Sequence, residues 1–291
     1  MFPADFAYAR ADSLKSALEL LRTSPDAKLL AGGQSLLPMM KLRLAMPETV
    51  IDIGGIAEMS AIETAGRRTV IGALATYRQL QRHPRVTAAF PAIADALDVL
   101  ADQQVRARGT VGGSVAHGDP ASDLPAVLLA LDATVTIAGP SGTRETALDD
   151  FLQGLFTTDL SEDEIITAIT VGNRPPGQAY EKFPQPASHL PLAGACAAVE
   201  IENGTVTRAR VAITGVGPRP YRALDTERIV ASAPLTPDLL ASAAAAAGSV
   251  FDGTGASPLS DQHASGPYRL RLAEAMTLRA LERAVERAGA A

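Results

Sequence analysis

Two glycine pairs constrain this chain more than any other feature. The longer motif is Thr110-Val-Gly-Gly-Ser-Val-Ala-His-Gly-Asp-Pro-Ala-Ser-Asp-Leu-Pro125, set between a basic run and an apolar helix candidate. Glycine reaches backbone angles closed to other residues and leaves its amide open to an approaching anion. Gly112 and Gly113 therefore read as half of an anion cradle, with Thr110 and Ser114 adding hydroxyl donors. A helix starting near Pro120 would turn its positive end to the same place. The second pair follows an apolar strand candidate in Leu30-Ala-Gly-Gly-Gln-Ser-Leu-Leu-Pro38 and repeats the Gly-Gly-polar order. One such pair is an ordinary strand-to-helix turn, but two can hold a pyrophosphate from both sides.

The chain divides into three units around these pairs. Residues 1–55 alternate helix and strand: Ser13 caps a periodic Leu14, Leu18, Leu21 face, and Lys28-Leu-Leu-Ala31 and Val50-Ile-Asp-Ile53 are strand candidates. Gly32 and Gly33 then fall at a strand's carboxyl end, where α/β folds place ligands. Residues 56–175 offer strands at Ile62, Val70–Ala73, Thr134–Ala138 and Ile165–Val171, with helices near Thr76–Leu80 and Ala92–Asp102. A mixed sheet flanked by helices is expected there, with a turn at Gly139-Pro-Ser-Gly142. Asn173-Arg-Pro-Pro-Gly177 disfavours any continuing element and marks a boundary. Residues 178–291 then read as strands Gly194–Glu202 and Arg208–Thr214 joined by the hairpin signal Glu202-Asn-Gly-Thr205, followed by Ala-rich helices around Ala243–Ala247 and a long amphipathic helix after Pro267.

Composition removes several function classes. A net charge of −6 gives no clustered basic footprint for a phosphate backbone, so no nucleic acid is expected. The single cysteine, Cys196, lies in an apolar stretch and reads as a buried, inert thiol; one cysteine can form neither a disulfide nor an iron–sulfur ligand set. The start, Met1-Phe-Pro-Ala-Asp-Phe6, lacks an export pattern, and uncharged runs such as Leu239–Phe251 are too short to span a bilayer. A cytoplasmic protein without a transmembrane segment is expected.

Other motifs have plainer readings. Ser114, His117 and Asp119 list the residues of a hydrolase triad, yet three neighbours on one loop do not reach triad geometry, and the nucleophile elbow lacks its second glycine. The four histidines, His83, His117, His189 and His263, are too scattered to argue for a metal. Gly215-Val-Gly-Pro-Arg-Pro220 lacks the third glycine of a dinucleotide fingerprint, and no Walker lysine motif appears. Leu36, Leu37, Met39 and Met40 read as core, and Asp119 and Asp123 as helix-start carboxylates. Arg106 and Arg108 suit either phosphate neutralisation or a partner-facing surface.

Ala31-Gly-Gly-Gln-Ser35, Gln104-Val-Arg-Ala-Arg-Gly-Thr-Val-Gly-Gly-Ser114 and Asp119-Pro-Ala-Ser-Asp-Leu-Pro125 together resemble the FAD-binding subunit of molybdenum hydroxylases, the family of the aerobic carbon monoxide dehydrogenase medium subunit. The resemblance extends through Lys182-Phe-Pro-Gln-Pro-Ala-Ser-His189 and Ile213-Thr-Gly-Val-Gly217. It departs at Ala107, where the family more often has Asn, and at Gly118, where it has Ala or Asn.

The resemblance implies an α+β (mixed α/β) chain. A two-part FAD-binding domain of PCMH type precedes a C-terminal α+β domain with a small antiparallel sheet and helices. It implies FAD contacts from Leu30, Ala31, Gly32, Gly33, Gln34, Ser35 and Leu36 in the first motif, and from Gly109, Thr110, Val111, Gly112, Gly113, Ser114 and Ala116 in the second. Asp119, Ser122 and Asp123 would follow, Asp123 accepting hydrogen bonds from the cofactor. Ile166 and Lys182 match positions near the isoalloxazine ring, although residue type alone makes Ile166 core and Lys182 solvent-exposed. The implied partners are a molybdopterin-binding large subunit, which oxidises the substrate with water, and a [2Fe–2S] small subunit that relays electrons onward to an external electron acceptor. The alternatives are a stand-alone FAD oxidase or dehydrogenase and a non-catalytic assembly module.

Overall fold

The computed structural model describes residues 2–172, 174–231, 233–253 and 256–289. The proposed boundary residue Asn173 lies outside the described residues. Near the N-terminus the Ser13 hydroxyl accepts the Ser16 amide and starts the helix Leu14–Thr23, as its position predicts. Leu14, Leu18 and Leu21 pack against the core, and Ala17 is fully buried. Three parallel strands accompany this helix: Ala7–Arg10, Thr49–Asp52 and Ala27–Leu30, with Thr49–Asp52 in the middle. The chain leaves Ala27–Leu30 straight into the first glycine pair.

The second sheet has five strands in the order Ile62–Ala65, Arg68–Gly72, Ile165–Val171, Thr134–Gly139, Gly142–Ala147. It is antiparallel at every pairing rather than mixed. Connectivity explains the difference. Gly66 turns the first two strands into a hairpin at φ +56, Gly142 at φ +112 serves the last two, and Ile165–Val171 returns between the hairpins, running against both inner strands.

The outer strand is tied down by Arg144, whose guanidinium donates to the Glu164 carboxylate (2.7 Å), the Asp159 carboxylate (2.7 Å) and the Asp159 carbonyl. Arg144, helped by the Ser161 amide, holds the Glu164 carboxyl down at about 2 against the opposing pull of burial. A carboxyl whose pKa falls on folding adds stability above its ordinary value and withdraws it as the pH drops toward the folded one. The unfolding free energy is therefore expected to decline between about pH 4.5 and pH 2, and Glu164→Gln should flatten that limb. A variant that tracks the wild type through this window removes Glu164 from the network.

The third sheet is antiparallel, in the order Gly177–Pro184, Pro191–Glu202, Thr205–Thr214, Tyr221–Arg222. Its central hairpin turns at Asn203 (φ +51) and Gly204 (φ +75), as the Asn-Gly signal predicts. Pro191–Val199 is buried at every position because two layers cover it. Ala193, Ala195, Ala197 and Val199 face a core built with the C-terminal helix Gly266–Gly289, while Cys196 and Ala198 face the core shared with the second unit. Period-two alternation thus separates two interiors, and the small side chains let both layers approach. Burial pushes the Cys196 thiol up, so its inert packing role stands. The Ala-rich run is helical in Pro237–Ala245 and tightens to a 3₁₀ turn over Ala246–Phe251. Among the described residues no helix is long and apolar enough to cross a membrane.

The helix Asp123–Ala130 joins these parts. All eight of its residues are buried, since it lies between the helix Pro91–Val99 and the third sheet. A helix apolar all round belongs in such a place. Only Asp123, at its start, carries a charge into that interior.

Candidate functional site

In the first loop, Gly33 takes a left-handed backbone at φ +74, bending the chain between the strand and the short helix Leu36–Lys41. The amides of Gly32, Gly33, Gln34, Ser35 and Leu36 meet no acceptor among the described residues, although the loop's carbonyls are used: the Gln34 side chain donates to Gly32 at 3.4 Å, and the Leu37 and Met39 amides donate to Gly33 and Ser35 at 3.1 Å each. Successive free N–H groups beside a left-handed glycine are the type of backbone that can line an anion nest. Met40 is core as expected, whereas Leu37 is 38% exposed. The chain beyond it also leaves Leu42, Leu44 and Met46 open to solvent.

The second glycine pair behaves differently from its sequence reading. Gly112 and Gly113 form the first turn of the helix Val111–His117, with no positive φ at either. Their amides are already spent: Val111 donates to the Ala75 carbonyl (3.0 Å), Gly112 to the Ala73 carbonyl (2.8 Å) and Gly113 to the Thr110 hydroxyl (3.2 Å). Gly112 is required for another reason, since a Cβ there would overlap Ala73. A Cβ on Gly32 would likewise overlap the Arg108 carbonyl and Gly109, so the two motifs abut backbone to backbone. Arg106 is a structural cap, donating to the Leu100 (2.6 Å) and Ala101 (2.9 Å) carbonyls, while Arg108 stays exposed.

The expected helix at Pro120 begins three residues later, with Ser122 as its N-cap. Asp119 instead closes the preceding turn, its carboxylate accepting the Ala121 amide at 2.8 Å. Gly118 ends the helix Val111–His117 in the left-handed region at φ +62, a conformation Asn also tolerates. Val111, Gly112 and Val115 face inward, while Gly113, Ser114 and Ala116 form a partly open side. His117 packs against Phe156 with ring centroids 5.2 Å apart and planes tilted by 48°, and Ser114 turns to Ser122 (3.5 Å) and Tyr77. No triad forms.

Behind this open side lies a buried polar cluster. Asp123 is 4% exposed; its carboxylate accepts the Tyr180 hydroxyl at 2.7 Å and lies 2.9 Å from the Lys182 ammonium. Lys182 also donates to the His189 carbonyl at 2.7 Å, and only 3% of its side chain reaches solvent, which corrects the solvent-exposed reading. Burial raises the Asp123 carboxyl above its ordinary value, and Lys182 and Tyr180 oppose that rise. Burial also lifts the Tyr77 hydroxyl to about 12, against a hydrogen bond with Ser114. Thr214 reaches the Pro120 (2.9 Å) and Ser122 (2.8 Å) carbonyls, fastening the third sheet to the same turn. Ile166 is 5% exposed and packs in the core, a partner of Ile137 across the sheet. Tyr77 and Tyr180 escaped the sequence reading. Tyr180 had a signal, because it precedes Lys182 by two residues in a strand and must share its face.

Residues 4–173 match the family described as the FAD binding domain in molybdopterin dehydrogenase, and residues 178–284 match the CO dehydrogenase flavoprotein C-terminal domain. This chain belongs to the molybdopterin dehydrogenase FAD-binding family. The carbon monoxide dehydrogenase medium chain of Hydrogenophaga pseudoflava is 37% identical over 287 residues, covering 98% of each chain. The glyceraldehyde dehydrogenase medium chain of Sulfolobus acidocaldarius is 34% identical over 286 residues, covering 97% of this chain and 99% of that one. The solved carbon monoxide dehydrogenase from Hydrogenophaga pseudoflava that lacks the Mo-pyranopterin moiety overlays with a TM-score of 0.93 at 39% identity, covering 99% of both chains.

The flavoprotein is thus an oxidoreductase subunit of the molybdenum hydroxylase type, and its cofactor is FAD. The residues present fit that cofactor: the nest of unpaired amides suits a diphosphate, and the Ser114, Ser122 and Lys182 donors suit polar ring or sugar atoms. A cavity of about 410 Å³ is lined by Gly54, Thr76, Arg78, Arg82 and Ala107 among others, and neither the first loop nor the polar cluster lines it.

Proposed function

We propose that this chain holds FAD between its two glycine motifs and relays electrons from a [2Fe–2S] small subunit to an external electron acceptor. The setting is a cytoplasmic complex with a molybdopterin-binding large subunit. The observation that carries the reading is the run of five amides from Gly32 to Leu36 with no acceptor among the described residues, pressed against the second motif at Arg108 and Gly109. In this arrangement Leu30, Ala31, Gln34 and Ser35 frame the nest, while Gly109, Thr110, Val111 and the Gly112–Gly113 turn support it from below. Ser114, Ala116, Asp119 and Ser122 border its open side, and Asp123, Lys182 and Ile166 lie deeper toward the ring. Residues 1–55, 56–175 and 178–291 act as three units around the cofactor.

FAD supplies one- and two-electron redox chemistry when bound. The protein binds it through backbone amides, presents the Lys182 ammonium beside it and excludes water with the buried helix Asp123–Ala130. Lys182 favours the more negative, reduced cofactor by charge alone. The exposed Leu42, Leu44 and Met46, adjoining the first loop, support a protein partner that covers them. With a single cysteine the chain cannot ligate an iron–sulfur cluster itself, so in this reading the cluster belongs to another subunit.

Rapid mixing tests this directly. The purified flavoprotein should stay oxidised with the organic substrate of its complex and bleach only once the iron–sulfur and molybdenum subunits are present, after the cluster band has changed. Prompt bleaching of the single chain by that substrate would make it a stand-alone dehydrogenase.

A further inference from the structure

Tyr180 and Lys182 leave the strand Gly177–Pro184 on one face and converge on one carboxylate. Asp123 is buried from solvent, so it depends on the groups that reach it. Those are the Tyr180 hydroxyl and the Lys182 ammonium on that strand, with Tyr77 close by from the helix Tyr77–Gln81 and Cys196 beside Tyr180 on the neighbouring strand. The ammonium has three protons to give; Asp123 and the His189 carbonyl account for two.

The strand is itself an edge strand, and its outward backbone is satisfied from elsewhere. Asp95, on the helix Pro91–Val99, accepts the Tyr180 amide at 3.2 Å. Arg287, on the C-terminal helix, donates to Asp95 at 2.7 Å and to the Gln178 carbonyl at 2.5 Å, and Arg283 adds a second hold on Asp95 at 2.9 Å. Tyr180 is thus clamped at its backbone by one set of groups and at its hydroxyl by another.

We propose that Tyr180 is a positioning residue: its hydroxyl anchors the Asp123 carboxylate, which in turn anchors the Lys182 ammonium at the cofactor site. The charge beside FAD is then governed by a side chain that acts through Asp123. This rests on the reading that FAD lies against Lys182. Phenylalanine keeps the ring and its packing while withdrawing one donor from a buried carboxylate. A carboxylate with fewer donors takes up a proton more readily, and Lys182 then loses its counter-charge at a higher pH.

Two measurements on Tyr180→Phe test the proposal. The first uses the full chain stripped of FAD: Lys182 is acylated with an N-hydroxysuccinimide ester and followed by peptide mass spectrometry. Wild-type Lys182 should be protected, and the variant should label roughly tenfold faster, the scale of one hydrogen bond to a charged group. The second follows the flavin reduction potential against pH in the reloaded chain, where the bend in the profile should move up by about one pH unit. Unchanged labelling overturns the proposal whatever the flavin does. Faster labelling beside an unmoved potential profile overturns the placement of FAD against Lys182, while upholding the hold of Tyr180 on Asp123.

Discussion

Gly32→Ala should strip the protein of FAD, lowering its affinity about 100-fold or more, while the melting temperature changes little. A Cβ at Gly32 has nowhere to go but the Arg108 carbonyl, so the two motifs must part. The loop at residues 31–35 is partly open to solvent, and it can move off the buried second motif without opening the core. Parting them rotates the amides of Gly33, Gln34 and Ser35 away from a shared anion, and a site held by several hydrogen bonds loses them together. Gly112→Ala makes the contrast. There the new Cβ meets the Cα, Cβ and carbonyl of Ala73 inside the structure, and overpacking of that kind costs about 1–3 kcal/mol. That variant should lose several degrees of melting temperature along with its cofactor. Flavin absorbance after gel filtration, paired with thermal melts, separates the two cases. Full FAD occupancy in Gly32→Ala would falsify the contact between motifs as the basis of the site.

Asp123→Asn should cost about 3 kcal/mol or more, the usual result of removing one partner from a buried ion pair. The asparagine has the shape of the aspartate, so little packing is lost; the penalty is an ammonium with 3% of its side chain exposed and no counter-charge. Lys182→Met on the same background should recover much of that loss, because the orphaned charge is gone. Strong non-additivity among the two single variants and the double variant in urea titrations is therefore expected. Additive losses would mean that Asp123 and Lys182 do not act on each other.

The features legible in the sequence were those set by neighbours along the chain. Ser13 as a cap, the Asn203–Gly204 turn and the strand entering Gly32 each depend on a few adjacent residues. Gly112 and Gly113 read in the sequence as bare amides at special backbone angles, whereas they form an ordinary helical turn with both amides taken. Their sequence context cannot reveal that Ala73 comes up against Gly112 and takes its amide, or that the Thr110 hydroxyl takes the amide of Gly113. Sheet direction failed in the same way. Periodicity marks Ile165–Val171 as a strand but says nothing of its running between Arg68–Gly72 and Thr134–Gly139. Lys182 looked solvent-facing because its partner, Asp123, lies 59 residues earlier in the chain. The resemblance to a family named both residues, and the spacing of Tyr180 two residues before Lys182 put it on the same strand face, but its bond to the Asp123 carboxylate is visible only in three dimensions.

The grip of Arg287 on Asp95 and Gln178 bears on how the protein folds. Arg287 lies 192 residues from Asp95 and 109 from Gln178 in the chain, so these contacts close long loops whose entropy must be given up before they form. The turn at Gly33 depends on neighbours along the chain, whereas the bracing of the strand that bears Tyr180 and Lys182 waits on groups distant in sequence.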